Sequence, residues 1–147
     1  MPPASPDCVF CRIAAGNLPA HIVHQCDRLV AFLDISPIRP GHTQIIARDH
    51  HVSFDETPPD LLTDITLVGQ RIARVLKRLY DVERVGFAFL GTDVAHVHAH
   101  LVPLVEPDDL TSRRFIVEDK LTFRRPETPP EAEMARIADR IRTELRD

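Results

Sequence analysis

The sequence is poor in aromatic residues, in glycine and in long apolar runs. Among 147 residues there is no tryptophan, one tyrosine and only five glycines. No apolar run approaches the roughly 20 residues that a membrane-spanning helix needs. The first residues have neither the basic start nor the apolar core of a secretory signal peptide. These absences predict a protein that is neither exported nor inserted in a membrane.

The sequence has no large excess of charge of one sign, and it contains few cysteines. The net charge is −4, so no strong positive field attracts nucleic acid. The cysteines are Cys8, Cys11 and Cys26, and an odd number without an export signal favours reduced thiols. We therefore expect a cytoplasmic protein with neither a nucleic-acid partner nor a membrane partner.

The length favours one domain with a real hydrophobic core. We predict that residues 1–7 form a flexible tail and that residues 8–147 form a single domain. Within this domain, residues 106–147 are predicted to be a C-terminal extension. Its first part, residues 106–127, is charged and irregular, and we predict a long loop there.

Local patterns predict an α+β fold with one antiparallel sheet. Short β-favouring runs bounded by turn residues predict five strands, at 22–25, 29–33, 43–47, 85–90 and 96–104. Apolar residues at helical spacing predict helices at 8–15, at 58–80 and over Met134 to Leu145. Thr57 is expected to cap the long helix, with the Asp60 carboxylate reaching back to the cap.

Three of the eight histidines, His96, His98 and His100, alternate within five residues. In a strand, alternate side chains share a face, about 6.5–7 Å apart. Adjacent imidazolium ions repel, so at least one imidazole stays neutral near pH 7, and a neutral imidazole is a competent nucleophile. Gly91 begins a turn just upstream, where backbone N–H groups can bind an anion. The pattern favours phosphoryl or nucleotidyl transfer over three histidines buried for packing.

The Cys8-x-x-Cys11 pair allows three interpretations. It can be half of a zinc site that histidines complete elsewhere in the chain. It can be a redox pair, although the βαβ context of such pairs is missing. It can also be two small buried residues, and local spacing alone does not choose among the three.

Asp34 ends a predicted strand and has apolar neighbours on both sides. A carboxylate in that setting can hold a ribose diol by accepting two hydrogen bonds. The alternative is an aspartate that caps backbone N–H groups at the start of a loop. The local sequence alone favours the second interpretation.

The segment from His96 to Val102 reads H-φ-H-φ-H-φ-φ, where φ is apolar. Together with three further segments, 8–13, 31–37 and 40–43, it resembles the histidine-triad (HIT) superfamily of nucleotide hydrolases and transferases. The opening segment, Cys-Val-Phe-Cys-Arg-Ile, is similar to that of bacterial members. The resemblance covers about residues 8–104 in the family's order.

The resemblance implies a sheet of about five antiparallel strands, two main helices, a short N-terminal helix and a homodimer. It implies an enzyme, a nucleotide phosphohydrolase or nucleotidyl transferase that acts at the α-phosphate. His98 would attack phosphorus and form a nucleotidyl-histidine intermediate. His100 would hydrogen-bond a phosphate oxygen, and His96 would support the reaction or bind a metal.

The same resemblance implies a pocket for a purine nucleoside monophosphate, with Asp34 on the ribose. Its substrate-binding residues would be Val9, Phe10, Ile13, Phe32, Asp34, Ile35, Thr92, Asp93 and Val94. It also implies a structural zinc ion held by Cys8, Cys11, His50 and His96.

Two positions depart from the family pattern. Thr92 and Asp93 stand where the nucleotide hydrolases usually have Gln and then Ser or Thr, and a carboxylate there repels phosphate unless it is protonated or turned away. The asparagine that usually contacts phosphate has no counterpart, because the only asparagine is Asn17. These departures allow an altered substrate class or a non-catalytic nucleotide-binding module. A separate and weaker alternative is a metalloenzyme with the triad as ligands.

Overall fold

A five-stranded antiparallel sheet is the centre of the fold. The computed structural model describes residues 5–90, 93–107, 109–110 and 126–146. In spatial order β1-β2-β3-β5-β4, the strands are β1 Ile22–Gln25, β2 Leu29–Leu33, β3 Thr43–Ala47, β5 His98–Leu104 and β4 Arg84–Phe89. The sheet confirms the predicted α+β class and the five strands.

Three helices accompany the sheet: α1 Val9–Ala14, α2 Pro59–Tyr80 and α3 Glu131–Arg146. A single 3-10 turn, Phe54–Glu56, precedes α2. The two long helices carry one apolar stripe each, and both stripes are buried. The predicted pair of main helices and the short N-terminal helix are therefore confirmed.

The alternation of β5 divides the molecule into two layers. Ala99 and Leu101 face the main core, which α2 and α3 cover. The opposite face of the sheet carries His98, and there α1 packs over a smaller cluster formed by Phe10, Val30, Phe32 and Ile46. One face of the sheet therefore carries the main core, and the other carries His98 beside a smaller apolar cluster.

Two local predictions were wrong. β5 begins at His98, so His96 lies in the irregular segment before the strand and does not continue its face. The cap of α2 is Pro58, which has no hydrogen-bonding side chain; Thr57 lies one residue before the cap, and its hydroxyl donates to the Ser53 carbonyl, 2.8 Å away.

Other predictions fall where the structure is not described. Most of the predicted loop at 106–127 and residues 1–4 of the predicted tail lie outside the described ranges. The division into tail, domain and extension therefore stays a prediction. No helix within the described ranges is both long and apolar enough to cross a bilayer.

Candidate active site and metal site

Strand register builds the histidine-bearing face. Ile46 on β3 pairs with His98 on β5, and Gln44 pairs with His100. Phe32 on β2 pairs with Gln44 from the other side. These side chains share one face because residues paired across a sheet point the same way. The site is thus held by the three central strands of the sheet.

The hydrogen bond that His98 makes fixes its tautomer. Its Nδ1 lies 2.7 Å from the carbonyl oxygen of His96, and a carbonyl can only accept. Nδ1 therefore carries the proton, and Nε2 of neutral His98 has a free lone pair. The Phe10 ring meets the imidazole edge-on, with ring centroids 5.1 Å apart. His98 is thus an oriented imidazole with an available nucleophilic nitrogen.

A second histidine, His42, fixes the tautomer of His100. The backbone N–H of Ile38 donates to His42 Nδ1 at 3.2 Å, so neutral His42 carries its proton on Nε2. That Nε2 lies 2.9 Å from His100 Nδ1, which must accept. His100 then carries its own proton on Nε2. The chain Ile38, His42, His100 therefore ends in a hydrogen-bond donor.

Burial keeps both members of this pair neutral. Desolvation lowers the pKa of His42 from 6.5 to about 4; the Asp34 charge opposes the shift and His100 adds to it. Desolvation also lowers the pKa of His100, with a further contribution from His98, whereas a hydrogen bond to the Leu90 carbonyl opposes the shift. His42 and His100 therefore form a relay of two neutral imidazoles, one hydrogen-bonded to the other, and this is the stable form near pH 7.

Four other side chains form a compact cluster at the start of α1. Cys8, Cys11, His50 and His96 each offer one ligand atom, and these atoms all lie within 4.8 Å of one another. His96 Nδ1 is 3.4 Å from the Cys8 sulfur and 3.5 Å from the Cys11 sulfur. His50 Nδ1 is 3.2 Å from the Cys11 sulfur. Two thiols and two imidazoles are a ligand set that suits tetrahedral zinc.

The partners of His96 prepare it as a ligand. Its Nε2 lies 2.8 Å from the Ala47 carbonyl, so the proton sits on Nε2 and the lone pair of Nδ1 faces the sulfurs. Desolvation lowers the pKa of His96 to about 4, which keeps the ring neutral. Burial raises the pKa of the Cys11 thiol, so a bound metal would have to displace a proton there. These residues fit a metal ion.

A second group, Asp34, His42 and His100, also brings its ligand atoms within 4.8 Å. The tautomer of His42 argues against a metal there. Its Nε2 carries the proton that it donates to His100, whereas Nδ1 is occupied by the Ile38 N–H. A metal would have to break both bonds. The group is better described as a hydrogen-bonded relay beside a carboxylate.

Asp34 lies at the end of β2, and donors hold both of its carboxylate oxygens. The Ser36 backbone N–H donates to Oδ1 at 2.7 Å, and Gln44 Nε2 donates to Oδ2 at 2.5 Å. The first bond is the loop cap that local sequence favoured. The Asp34 side chain keeps 13% of its surface exposed.

The structure brings together only part of the predicted base pocket. Phe10, Ile13, Phe32 and Val94 belong to one apolar cluster beside the histidines. Val9 and Ile35 are instead exposed, at 36% and 57% of their surface. A cleft of about 150 Å³ opens next to His98, lined by Val52, Ser53, Phe54, Phe89, Leu90, Val94, His96, Val97 and His98.

The segment upstream of the triad is described only in part. Gly91 and Thr92 lie outside the described residues, and Asp93 is exposed. The roles predicted for Thr92 and Asp93 next to phosphate therefore stay predictions.

Two residues of the site were missed at the sequence level, His42 and Gln44. No dense local pattern marks them: they are polar residues at alternate positions where β3 begins, and both are buried. His42 is the residue immediately before β3, and Gln44 is the second residue of that strand.

The comparison with known families decides the relationship. The model of the HIT domain matches residues 15–106. This chain belongs to the HIT family. An uncharacterised HIT-like protein of Methanocaldococcus jannaschii is 36% identical over 105 residues, which span 69% of this chain and 81% of that protein. Adenosine 5'-monophosphoramidase of Saccharomyces cerevisiae is 34% identical over 97 residues, or 65% of this chain and 61% of the yeast protein.

A solved HIT structure also bears on the cysteine–histidine cluster. A zinc-bound histidine triad family protein from Mycobacterium smegmatis superposes with a TM-score of 0.73 and 32% sequence identity. The match covers 95% of this chain and 94% of that one. The fold of this HIT chain is therefore shared over nearly its whole length with a member that holds zinc.

Proposed function

We propose that this HIT chain is a nucleotide phosphohydrolase or nucleotidyl transferase that acts at the α-phosphate, with His98 as its nucleophile. One observation carries the proposal. The bond from His98 Nδ1 to the His96 carbonyl, at 2.7 Å, places the proton of the neutral ring on Nδ1, so that the lone pair is on Nε2 and is directed away from that carbonyl. An oriented neutral imidazole is what attack on phosphorus requires.

The reaction would proceed in two displacements. His98 Nε2 attacks the α-phosphorus; the N–P bond forms while the bond to the leaving group breaks, and the leaving group departs with the bonding pair. Water, or another hydroxyl acceptor, then attacks the same phosphorus; the P–O bond forms while the N–P bond breaks, the bonding pair returns to His98 Nε2, and the proton of the attacking hydroxyl is lost to solvent. His100 would exchange the Leu90 carbonyl for a phosphate oxygen and donate its Nε2–H to it, because His42 holds that tautomer. The donor stabilises charge that develops on phosphate.

The substrate would be a purine nucleoside 5'-phosphate joined to a leaving group. Phe10 and Phe32 would supply apolar surface for the base, and Asp34 would accept from the ribose. Because the yeast relative is an adenosine 5'-monophosphoramidase, adenosine 5'-phosphoramidate is the first substrate to test.

Replacement of the nucleophile tests the proposal. We expect His98→Ala to lower kcat/KM for adenosine 5'-phosphoramidate by roughly 10⁴-fold or more, as loss of a covalent nucleophile does. His24→Ala, on strand β1, is the matched control and should keep wild-type activity. Undiminished turnover by His98→Ala would contradict the mechanism. Tight nucleotide binding by the wild type without any turnover would favour the non-catalytic module.

We further propose that the cluster of Cys8, Cys11, His50 and His96 holds one structural zinc ion. When bound, the ion would join the start of α1 to the segment before β5, and it would have no part in the chemistry at His98. The close mutual approach of the four ligand atoms, and the orientation of His96 by Ala47, support this assignment.

Metal analysis of three variants tests the zinc site. We expect about one zinc per chain in the wild type and in His98→Ala, and none in Cys8→Ser, which should also melt at a lower temperature. Cys26→Ser, at an exposed thiol, is the matched control and should retain zinc. Zinc that persists in Cys8→Ser but is lost from His98→Ala would instead favour a metal held by the triad.

A homodimer and a cytoplasmic location also remain proposals. The edge strand β4 leaves Phe87 exposed at 39% of its surface, and Leu67 on α2 is exposed at 57%. Exposed apolar side chains beside an unpaired strand edge are typical of an interface. Sedimentation of the purified chain would give its oligomeric state.

A further inference from the structure

The residues that follow β5 fold back onto the histidine-bearing face of the sheet. Gly86 on β4 pairs with Val102 on β5, two positions after His100, so both positions lie on the face that carries His100. A Cβ added to Gly86 would lie 2.6 Å from Leu110 Cδ2, which means that the Leu110 side chain packs against the Gly86 backbone. Residues 105–107 and 109–110, which we call the β5 turn, therefore lie on the face that carries the relay.

Asp109 organises the β5 turn through its carboxylate. Its Oδ2 accepts hydrogen bonds from the backbone N–H groups of Val105 at 2.8 Å and Glu106 at 2.9 Å. Arg39, in the loop between β2 and β3, donates to the same carboxylate through two nitrogens, Nε to Oδ2 at 2.9 Å and Nη2 to Oδ1 at 2.7 Å. The Asp109 side chain is only 7% exposed, and the Arg39 guanidinium lowers its pKa to about 2. A two-point pair of this kind fixes orientation as well as distance, which a single-contact surface pair does not.

The Arg39 side of this pair is connected directly to His42. The carbonyl of Arg39 accepts from the His42 backbone N–H at 3.0 Å, and the backbone N–H of Ile38 donates to His42 Nδ1 at 3.2 Å. Two backbone groups that contact His42 thus belong to Arg39 and to the residue before it. Because the Arg39 side chain is held by Asp109, this short stretch of backbone is restrained from the β5 turn.

The Ile38 bond decides what His100 offers to a ligand. It requires a lone pair on His42 Nδ1, so the proton is on Nε2, which donates to His100 Nδ1 at 2.9 Å and leaves the His100 proton on Nε2. With the His42 proton on Nδ1 instead, His100 would present a lone pair where the proposed reaction needs a donor. The Asp34 carboxylate lies 3.7 Å from His42 Nε2, too far to hold the proton there by a hydrogen bond. The Leu90 carbonyl favours the same His100 tautomer only until phosphate replaces it.

We propose that Arg39 and Asp109 form a positioning ion pair for the relay. By clamping the loop between β2 and β3 to the β5 turn, the pair holds the Ile38 N–H on His42 Nδ1 and so keeps His100 a hydrogen-bond donor. Neither residue of the pair contacts the substrate, and both act through His42. The effect on catalysis rests on the proposed function, whereas the effect on the two tautomers does not.

Long-range ¹H–¹⁵N spectra of the histidine rings test the proposal without substrate. We expect the wild type near pH 7 to carry the proton on Nε2 of both His42 and His100. Arg39→Met keeps the length of the side chain without its charge, and Asp109→Asn keeps an acceptor for the β5 turn without the ionised pair. In both variants the tautomer with the proton on Nδ1 should become populated, so the ¹⁵N shifts of the two nitrogens in each ring should move toward each other.

An ion pair that only stabilises the fold would lower the melting temperature without changing which ring nitrogen is protonated. Wild-type tautomers in a folded Arg39→Met or Asp109→Asn would therefore overturn the proposal. A wild type with the His42 proton on Nδ1 would also overturn it.

Kinetics with adenosine 5'-phosphoramidate test the catalytic consequence. We expect Arg39→Met and Asp109→Asn each to lower kcat by roughly 10-fold with KM changed less than about twofold, because the His100 donor acts mainly as charge develops on phosphate. The double variant should lose no more than either single variant, since both remove the same pair. Arg39→Lys keeps the charge without the two-point contact and should fall between the wild type and Arg39→Met. It also gives a milder variant if Asp109→Asn does not fold.

Arg78→Met is the matched control. It makes the same exchange in the exposed ion pair with Glu144, which joins α2 to α3 on the other face of the sheet, and it should leave kcat and both tautomers unchanged. An equal loss of kcat in Arg78→Met and Arg39→Met would contradict the positioning role. If the wild type neither turns over nor binds AMP, the proposed function fails, and the tautomers still decide whether Arg39 and Asp109 position the relay.

Discussion

At the scale of single residues, hydrogen-bond partners give each histidine a different task. The His96 ring bonds a carbonyl through Nε2, and the His98 ring bonds one through Nδ1. The His100 ring accepts from His42. The three imidazoles look equivalent in the sequence, but they present different groups. His96 presents a lone pair to two thiols, His98 presents a lone pair beside the cleft, and His100 presents an N–H donor.

Titration of His42 gives a prediction about stability. Its pKa of about 4 lies below the 6.5 of an exposed histidine, so between these pH values the unfolded chain binds the extra proton. The stabilisation is complete above pH 6.5 and is lost as the pH falls toward 4. We expect His42→Asn to make the fall in unfolding free energy shallower by roughly 1 kcal/mol per pH unit in that window.

Urea denaturation of both proteins between pH 7 and pH 4.5 measures this difference. Equal slopes would mean that His42 is protonated in the folded state near its ordinary pKa. The relay to His100 would then not be neutral at the acidic end of the window.

Candidate site residues were predictable from the sequence where several of them lie close together in a regular spacing. Three alternating histidines and a Cys-x-x-Cys pair stood out, and the resemblance to HIT proteins supplied His50 as their partner. Gln44 and His42 carried no such signal, because their importance lies in bonds to Asp34 and His100 across strands. Those bonds depend on the sheet register, which a single sequence does not specify.

At the scale of elements, the loop between β2 and β3 positions the relay, and Gly41 permits its path. Gly41 has φ of +87°, a conformation that side chains rarely adopt, and an added Cβ would clash with the Tyr80 ring and approach Leu76 Cδ2 to 3.0 Å. The next residue is His42. The tight approach of this loop to α2 therefore sets where the relay begins.

Two glycines provide a matched pair for testing this role. Gly16 has a similar φ of +76°, but an added Cβ meets nothing within 4 Å. We expect Gly16→Ala to destabilise the fold by about 1 kcal/mol through backbone strain alone. Gly41→Ala adds overpacking, for roughly 2–4 kcal/mol in total, and should lower kcat/KM as well. Equal losses in thermal melts would contradict the tight packing against Tyr80.

The elements themselves were largely predictable from local patterns. The bounds of β1, β2 and β3 match the predicted strands, because alternation and turn residues define them. The start of β5 was wrong because His96 leaves the sheet to join Cys8 and Cys11, an interaction with residues more than 80 positions away. Local periodicity does not contain that information.

At the scale of the whole molecule, the main core and the candidate site lie on opposite faces of the sheet. The two long helices cover one face, and the other carries α1, the cysteine–histidine cluster and the relay. The cluster joins the start of α1 to two other segments: the loop after β3, through His50, and the segment before β5, through His96. A structural zinc ion at that junction would thus hold the wall of the cleft beside His98.

The covalent intermediate is the central claim, and intact-mass analysis tests it most directly. Wild-type protein quenched in acid-free denaturant during turnover of adenosine 5'-phosphoramidate should carry one added adenylyl group, and fragmentation should place it on His98. The His98→Ala variant should carry none. An adenylyl group on another residue, or steady turnover in which no adduct accumulates or can be trapped on His98, would contradict the proposed mechanism.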